Sequence, residues 1–360
     1  MAELIPPSVL EADRLHHDVI ERVMFSRHLN PCNEPAARAA FDRGAAAPPF
    51  EYQPIPAPDA LIAELGAARP DTGHPAGALL ARCLDETALL IRALSERSAE
   101  AFHALAEISD WFPTAADLSE ALPPATADRE RSDVPAELMI AVLQEALFAR
   151  GLIRWRVETD TVMAARVLVD SARKVVRVHP GARFRARDLT RLVAHEVDVH
   201  AVRGANGAGQ ALRCFETGLP GALATEEGLA LLAEERVGAA SPGVLERQRL
   251  VCEAILLAKD VGFRELFDWL RERGGPELAW GISLRVKRGL RAPGGPGVYA
   301  KDSVYLRGRM IVHRWLLAGG QISHLYVGKV GVGDPVSEWI AQDWIQSRPV
   351  PALWTGDQST

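Results

Sequence analysis

Cysteine is scarce in this chain of 360 residues, and its spacing excludes more than its number does. Cys32, Cys83, Cys214 and Cys252 lie far apart, and no C-x-x-C pair occurs. A disulfide framework and a cysteine-only zinc site are therefore not expected, and the thiols read as reduced, mostly core residues of a cytoplasmic protein. An excess of positive charge is also missing. The net charge is −6, which argues against a nucleic-acid coat or an anionic membrane as partner. No long charge-free apolar run exists either. The stretch Leu138–Ile153 is interrupted by Gln144, Glu145 and Arg150, so no membrane span is expected. The first residues, Met1 to Pro7, have no basic, apolar leader pattern. The glycine-rich stretches match neither G-x-G-x-x-G after a strand nor G-x-x-x-x-G-K-[ST], so nucleotide binding is not expected.

What remains is an ordinary share of apolar and charged residues, enough for a sizeable core. Helical spacing of apolar residues covers much of the first 150 positions, including one long pattern at 76–108. Residues 110–135, with Pro113, Pro123, Pro124 and Pro135, read as a loop. The period then changes. Ile153–Val157, Ala164–Val169 and Lys174–His179 alternate or run β-branched and predict three strands. A helix over about 185–203 comes next, with Gly204 as its expected C-cap. Further helices are predicted at 225–238, 242–260, 262–273, 301–318 and 334–346. The expected fold is α+β, mostly helical, with a small mixed sheet before the active-site helix. Residues 1–150 are expected to form a helical region packed on a catalytic region, 151–360.

Chemistry concentrates where histidines meet carboxylates. His195-Glu196-Val197-Asp198-Val199-His200 carries two imidazoles five residues apart. On a regular α-helix that spacing leaves them about 140° apart, too far round to share one ion. A π-type distortion between 196 and 200 is therefore predicted if they do. Thr225-Glu226-Glu227-Gly228-Leu229-Ala230 reads as the next helix start, with Thr225 as N-cap. Carboxylates there suit the helix dipole. Gly228 inside the first turn needs another reason, and close approach of a second backbone is the expected one. Two histidines plus one of these glutamates would make a three-ligand zinc site with an open fourth position. Glu196 would be the base for a water bound there.

With these motifs in order along most of its length, the sequence resembles the tyrosine carboxypeptidase family of zinc metallopeptidases. Its eukaryotic members remove the C-terminal tyrosine of α-tubulin, and its bacterial members are known by a QEGLA motif. The family's H-E-[IV]-G-T-H matches His195-Glu196 and His200, followed by Arg203, Asn206 and Gly207. Its G-L-P and T-[EQ]-E-G-L-A match Gly218-Leu219-Pro220 and Thr225 to Ala230. Its R-G, G-G and K-D-x-V-Y-L-x-G match Arg288-Gly289, Gly294-Gly295 and Lys301 to Gly308, and its L-N-P-x-N matches Leu29 to Asn33. Asp198, Val199 and Ala300 depart from the family pattern.

The resemblance implies Zn2+ on His195, His200 and Glu227, with Glu196 activating the zinc-bound water. It implies a zinc-dependent hydrolase cutting a peptide or amide bond, as a carboxypeptidase acting on a C-terminal residue. Tyr305 and Lys301 are candidate donors to the oxyanion. Arg203, Arg285, Arg288 and Lys301 are candidates to grip a free carboxylate, and Asn206 is placed with them at the substrate. The strand Lys174–His179, ahead of the zinc helix, is the expected edge for substrate β-addition. The partner is a peptide or small amide with a free carboxylate. The Ala- and Arg-rich composition resembles that of a high-GC bacterium. The alternative is a non-catalytic regulator that keeps the fold and the metal.

Overall fold

The computed structural model describes residues 5–119, 122, 130–241 and 243–355. The first four residues of the amino-terminal stretch, Pro123 and Pro124 of the predicted loop, and Pro242 lie outside the described residues. The chain is largely helical. Helices Pro7–Arg22, Phe25–Leu29, Glu34–Asp42, Pro58–Ala67, Pro75–Glu96 and Ala99–Ile108 come first. The long pattern at 76–108 is two helices rather than one. Arg97 takes a left-handed φ of 54° and Ser98 restarts the chain, its Oγ accepting from the Ala101 N–H at 3.1 Å. An apolar period continues across such a break because side-chain spacing does not record one backbone torsion.

A three-stranded sheet holds Arg156–Thr159, Val167–Asp170 and Val175–Val178, and Val134–Pro135 pairs separately with Arg183–Phe184. Val175–Val178 is central: it pairs in parallel with Arg156–Thr159 and antiparallel with Val167–Asp170. All four of its residues are buried, as its β-branched run requires of a strand covered on both faces. Helix Ala136–Ala149 packs on the sheet through Met139, Leu143 and Leu147.

The next helix opens as α over Ala186–Leu192, is π from Val193 to Ala201, and returns to α over Val202–Ala208. The predicted end at Gly204 is thus corrected. That glycine sits inside the helix because a Cβ there would meet the Ser171 side chain, and Gly207 lies equally close to the Phe215 backbone. Both serve close packing rather than termination.

Helix Ala222–Arg236 begins three residues ahead of Thr225, after Gly221 at φ 82°. Thr225 is therefore no N-cap; its Oγ1 accepts from the Val332 N–H at 3.0 Å. Gly228 meets the expectation of a close backbone approach. A Cβ there would overlap the Gly308 carbonyl, and one on Gly308 would overlap that of Ala224. Helix Val304–Leu317 thus lies directly against the glutamate-bearing helix. Gly228→Ala is expected to cost about 2–3 kcal/mol by forcing the two helices apart, read as a lowered midpoint in urea unfolding.

Helix Phe263–Lys287 runs further than predicted, with a break at Gly275 (φ 81°) before Pro276. It leads through a glycine-rich loop into a short 3-10 turn, Ala300–Ser303. Lys287, fully buried, donates to the carbonyls of Ala258, Val261, Gly295 and Gly297 and so pins that loop. No described helix is long and apolar enough to cross a membrane. One core runs from Val9 and Leu80 in the first helices to Leu229, Ile255 and Val312. The amino-terminal helices and the later elements therefore share one interior.

Candidate active site

The π segment brings the two histidines together. A hydrogen-bond ladder of i→i+5 type aligns residues five apart, and the His195 and His200 rings lie 4.9 Å apart between centroids. Glu227, on helix Ala222–Arg236, completes the group. Its Oε2 is 3.6 Å from Nε2 of each histidine, and the three donor atoms lie within 4.8 Å of one another.

The outer nitrogens are held from behind. His195 Nδ1 is 2.8 Å from Glu234 Oε1 and His200 Nδ1 is 2.7 Å from Glu226 Oε1. Arg191 in turn bonds Glu234 at 2.7 Å, while Arg203 and Lys329 bond Glu226. An Nδ1–H donated to a carboxylate leaves the Nε2 lone pair directed at the centre, the arrangement of metal-ligating histidines.

The histidines and glutamates are also paired electrostatically. Burial alone would lower the His195 pKa, but the nearby carboxylates of Glu227 and Glu234 outweigh it and carry it to about 10. His200 is raised in the same way through Glu226 and Glu227. Glu226 and Glu227 are held low: burial opposes this, but Arg203, Lys329 and the two histidines prevail. Glu227 Oε2 is nonetheless buried without a hydrogen-bond partner among the described residues. Two imidazole nitrogens and one orphaned carboxylate oxygen are the donor types of an open zinc site, so the residues present fit that ion.

Glu196 follows His195 and lines the same cavity, 7% exposed. The cavity holds about 470 Å³. Cationic side chains line it as well. Arg285 and Arg288 share Asp302, with Arg288 Nη2 at 3.5 Å from it, and Arg288 Nη1 donates to Asn30 Oδ1 at 3.1 Å. Lys301 and Tyr305 also line it. Burial lowers the Lys301 pKa. Burial and the nearby Glu227 raise that of Tyr305, which stays a protonated donor. The amino-terminal helices supply an apolar wall through Leu29, Leu90, Leu94, Leu105 and Trp111.

Two candidate substrate residues and one strand are elsewhere. Arg203 is fully buried behind His200, off the cavity, bonding Glu226 and the carbonyls of Leu325 and Val330, the two carbonyls at 2.7 Å each. Asn206 donates to the carbonyls of Tyr326 at 2.7 Å and Pro349 at 3.0 Å, tying down the carboxy-terminal segment. Both lie beyond the π segment, which rotates the later residues of the helix away from their regular angular positions. The strand within 174–179 is central and has no free edge; the cavity edge belongs to Val167–Asp170. Asp198, a departure from the family pattern, is paired with Arg150 at 2.7 and 2.9 Å.

Glu226, Glu234, Asp302 and Asn30 carry roles that residue spacing did not assign. Only Glu234 left a usable signal, seven residues beyond Glu227 on the same helix face.

The chain matches the family described as microtubule-associated tyrosine carboxypeptidase over residues 40–354. It is similar to microtubule-associated tyrosine carboxypeptidase 1 of Mus musculus, Rattus norvegicus and Homo sapiens. Each is 32% identical over 192 residues, 51% of this chain. The alignment spans 40% of the length of these curated relatives.

Proposed function

This chain belongs to the microtubule-associated tyrosine carboxypeptidase family, and from that premise we propose that it is a zinc-dependent metallocarboxypeptidase. It would cleave a peptide or amide bond at a C-terminal residue. The observation that carries this reading is the orphaned Glu227 Oε2, 3.6 Å from two Nε2 atoms whose rings are fixed by buried carboxylates.

His195, His200 and Glu227 would hold the zinc, which when bound supplies a Lewis acid for the scissile carbonyl and acidifies water. Glu196 accepts the proton of the attacking water and returns it to the departing amine. Tyr305 or Lys301 donates to the oxygen that gains charge. Arg285 and Arg288 hold the substrate carboxylate; Asp302 and Asn30 keep their guanidinium forks in place.

The strand Val167–Asp170 supports an extended substrate. The Val167↔Val178 register and the His179 N–H on the Arg166 carbonyl turn the backbone groups of Leu168 and Asp170 inward. Those of Val167 and Val169 face the outer edge, open to β-addition.

A set of peptides varied at the C-terminus, each as free acid and as amide, tests the proposal with mass-spectrometric readout. Zinc-loaded protein is expected to release one C-terminal residue from free acids and to act roughly a hundredfold more slowly on amides, which remove the charged partner of the arginines. Equal rates would remove the clamp. No cleavage of any peptide would leave the regulatory reading, which the presence of Glu196 disfavours because a closed structural site needs no base.

A further inference from the structure

Among the described residues three arginine–glutamate–histidine groupings are seen, and the function proposed above uses two. Arg191 holds Glu234, which holds His195; Arg203 holds Glu226, which holds His200. The third is Arg213, Glu216 and His17. Arg213 Nη2 bonds Glu216 Oε2 at 2.8 Å, and the same oxygen lies 3.2 Å from His17 Nε2. Glu216 is fully buried and His17 is 1% exposed. In the first two the arginine fixes the carboxylate, the carboxylate is hydrogen-bonded to one ring nitrogen, and the other nitrogen is left as a lone-pair donor; at His17 the carboxylate stands at ion-pair distance without a hydrogen bond.

For His17 that other nitrogen is Nδ1. Like Nε2, it is buried with no hydrogen-bond partner among the described residues, and it lies 3.7 Å from Glu21 Oε2. The matching separation in the catalytic group is 3.6 Å. His17 and Glu21 are four residues apart on helix Pro7–Arg22 and so share a face. Asp18 joins them, and the three donor atoms lie within 4.8 Å of one another. The neighbouring His16 differs: its Nε2 meets Thr87 Oγ1 at 2.9 Å, and among the described residues no carboxylate is bonded to its ring.

We propose that His17, Asp18 and Glu21 form a second divalent-cation site, separate from the catalytic group. One neutral imidazole and two carboxylates suit a first-row cation such as Zn2+ or Mn2+, with water filling the remaining positions. Two anionic ligands balance the charge of the ion, and both carboxylates are exposed, which gives the ion a path from solvent. The site ties the first helix, through His17, to Glu216, which immediately precedes the Thr217–Leu219 segment lining the cavity.

Equilibrium dialysis of the full chain against Zn2+, followed by metal analysis, tests this. Wild type is expected to hold one zinc more per chain than the Asp18→Asn, Glu21→Gln double variant. Both changes are at exposed positions and leave the core untouched. His195→Ala is expected to lose the other zinc and keep this one, so the two sites fail independently. His17→Gln should match the double variant. Equal zinc in wild type and the double variant would overturn the proposal, whatever the catalytic group binds.

Discussion

Glu196→Gln is expected to lower kcat on a cleavable peptide by roughly a thousandfold, while zinc per chain stays at the wild-type level. The amide keeps the shape and polarity of the side chain but accepts no proton at neutral pH. The proposed ligands His195, His200 and Glu227 are unchanged, and so are the carboxylates behind them. The measurement is a pair: steady-state kinetics and metal content of the same preparation. A variant that retains its rate would remove Glu196 as the base. A variant that loses zinc with its rate would make Glu196 a structural member of the site. By contrast, Glu227→Gln replaces a donor oxygen and should lose zinc and rate together.

Arg203→Met is expected to destabilise the fold by about 3–5 kcal/mol, the range for removing one partner of a buried ion pair. Arg203 is fully buried, and its guanidinium satisfies the Glu226 carboxylate and the carbonyls of Leu325 and Val330. Removing it strands Glu226 behind His200, with Lys329 as its remaining cation. It also frees two carbonyls that hold the 325–330 segment. Chemical unfolding reads the loss directly. Arg203→Lys keeps the charge but not the planar fork and should recover only part of it. A substrate clamp would behave in the opposite way, with a raised KM and unchanged stability. The two outcomes separate the placement of Arg203 behind the site from the role expected of it on sequence grounds.

Arg203 also marks how far residue spacing alone reaches. Spacing located the histidines and, through the five-residue gap, required the helix to loosen between them; it is π over Val193–Ala201. That inference is local, because two rings on one helix either share a face or do not. Gly228 was legible for a similar reason: an interior glycine without a turn to serve implies a near backbone, and Gly308 is there. Arg203 and Asn206 were expected at the substrate, but buried partners that no spacing names hold them off the cavity.

The sequence by itself pointed to the α+β class, to three strands in the 153–179 region, to the residues that could chelate an ion and to a carboxylate beside them. All of these come from periodicity and from spacings within a few residues. Only the tertiary structure decided which strand is central, since pairing order depends on contacts between distant segments: Val175–Val178 lies between its neighbours and Val167–Asp170 is left as the edge. It also decided that Glu226 and Glu234 stand behind the histidines, that Asp302 and Asn30 hold the two arginines, and that the first helices wall the cavity. The physical reason is the same in each case. A buried charge or donor must be matched by whatever group the fold brings within about 3 Å, and nothing in the linear order names that group in advance.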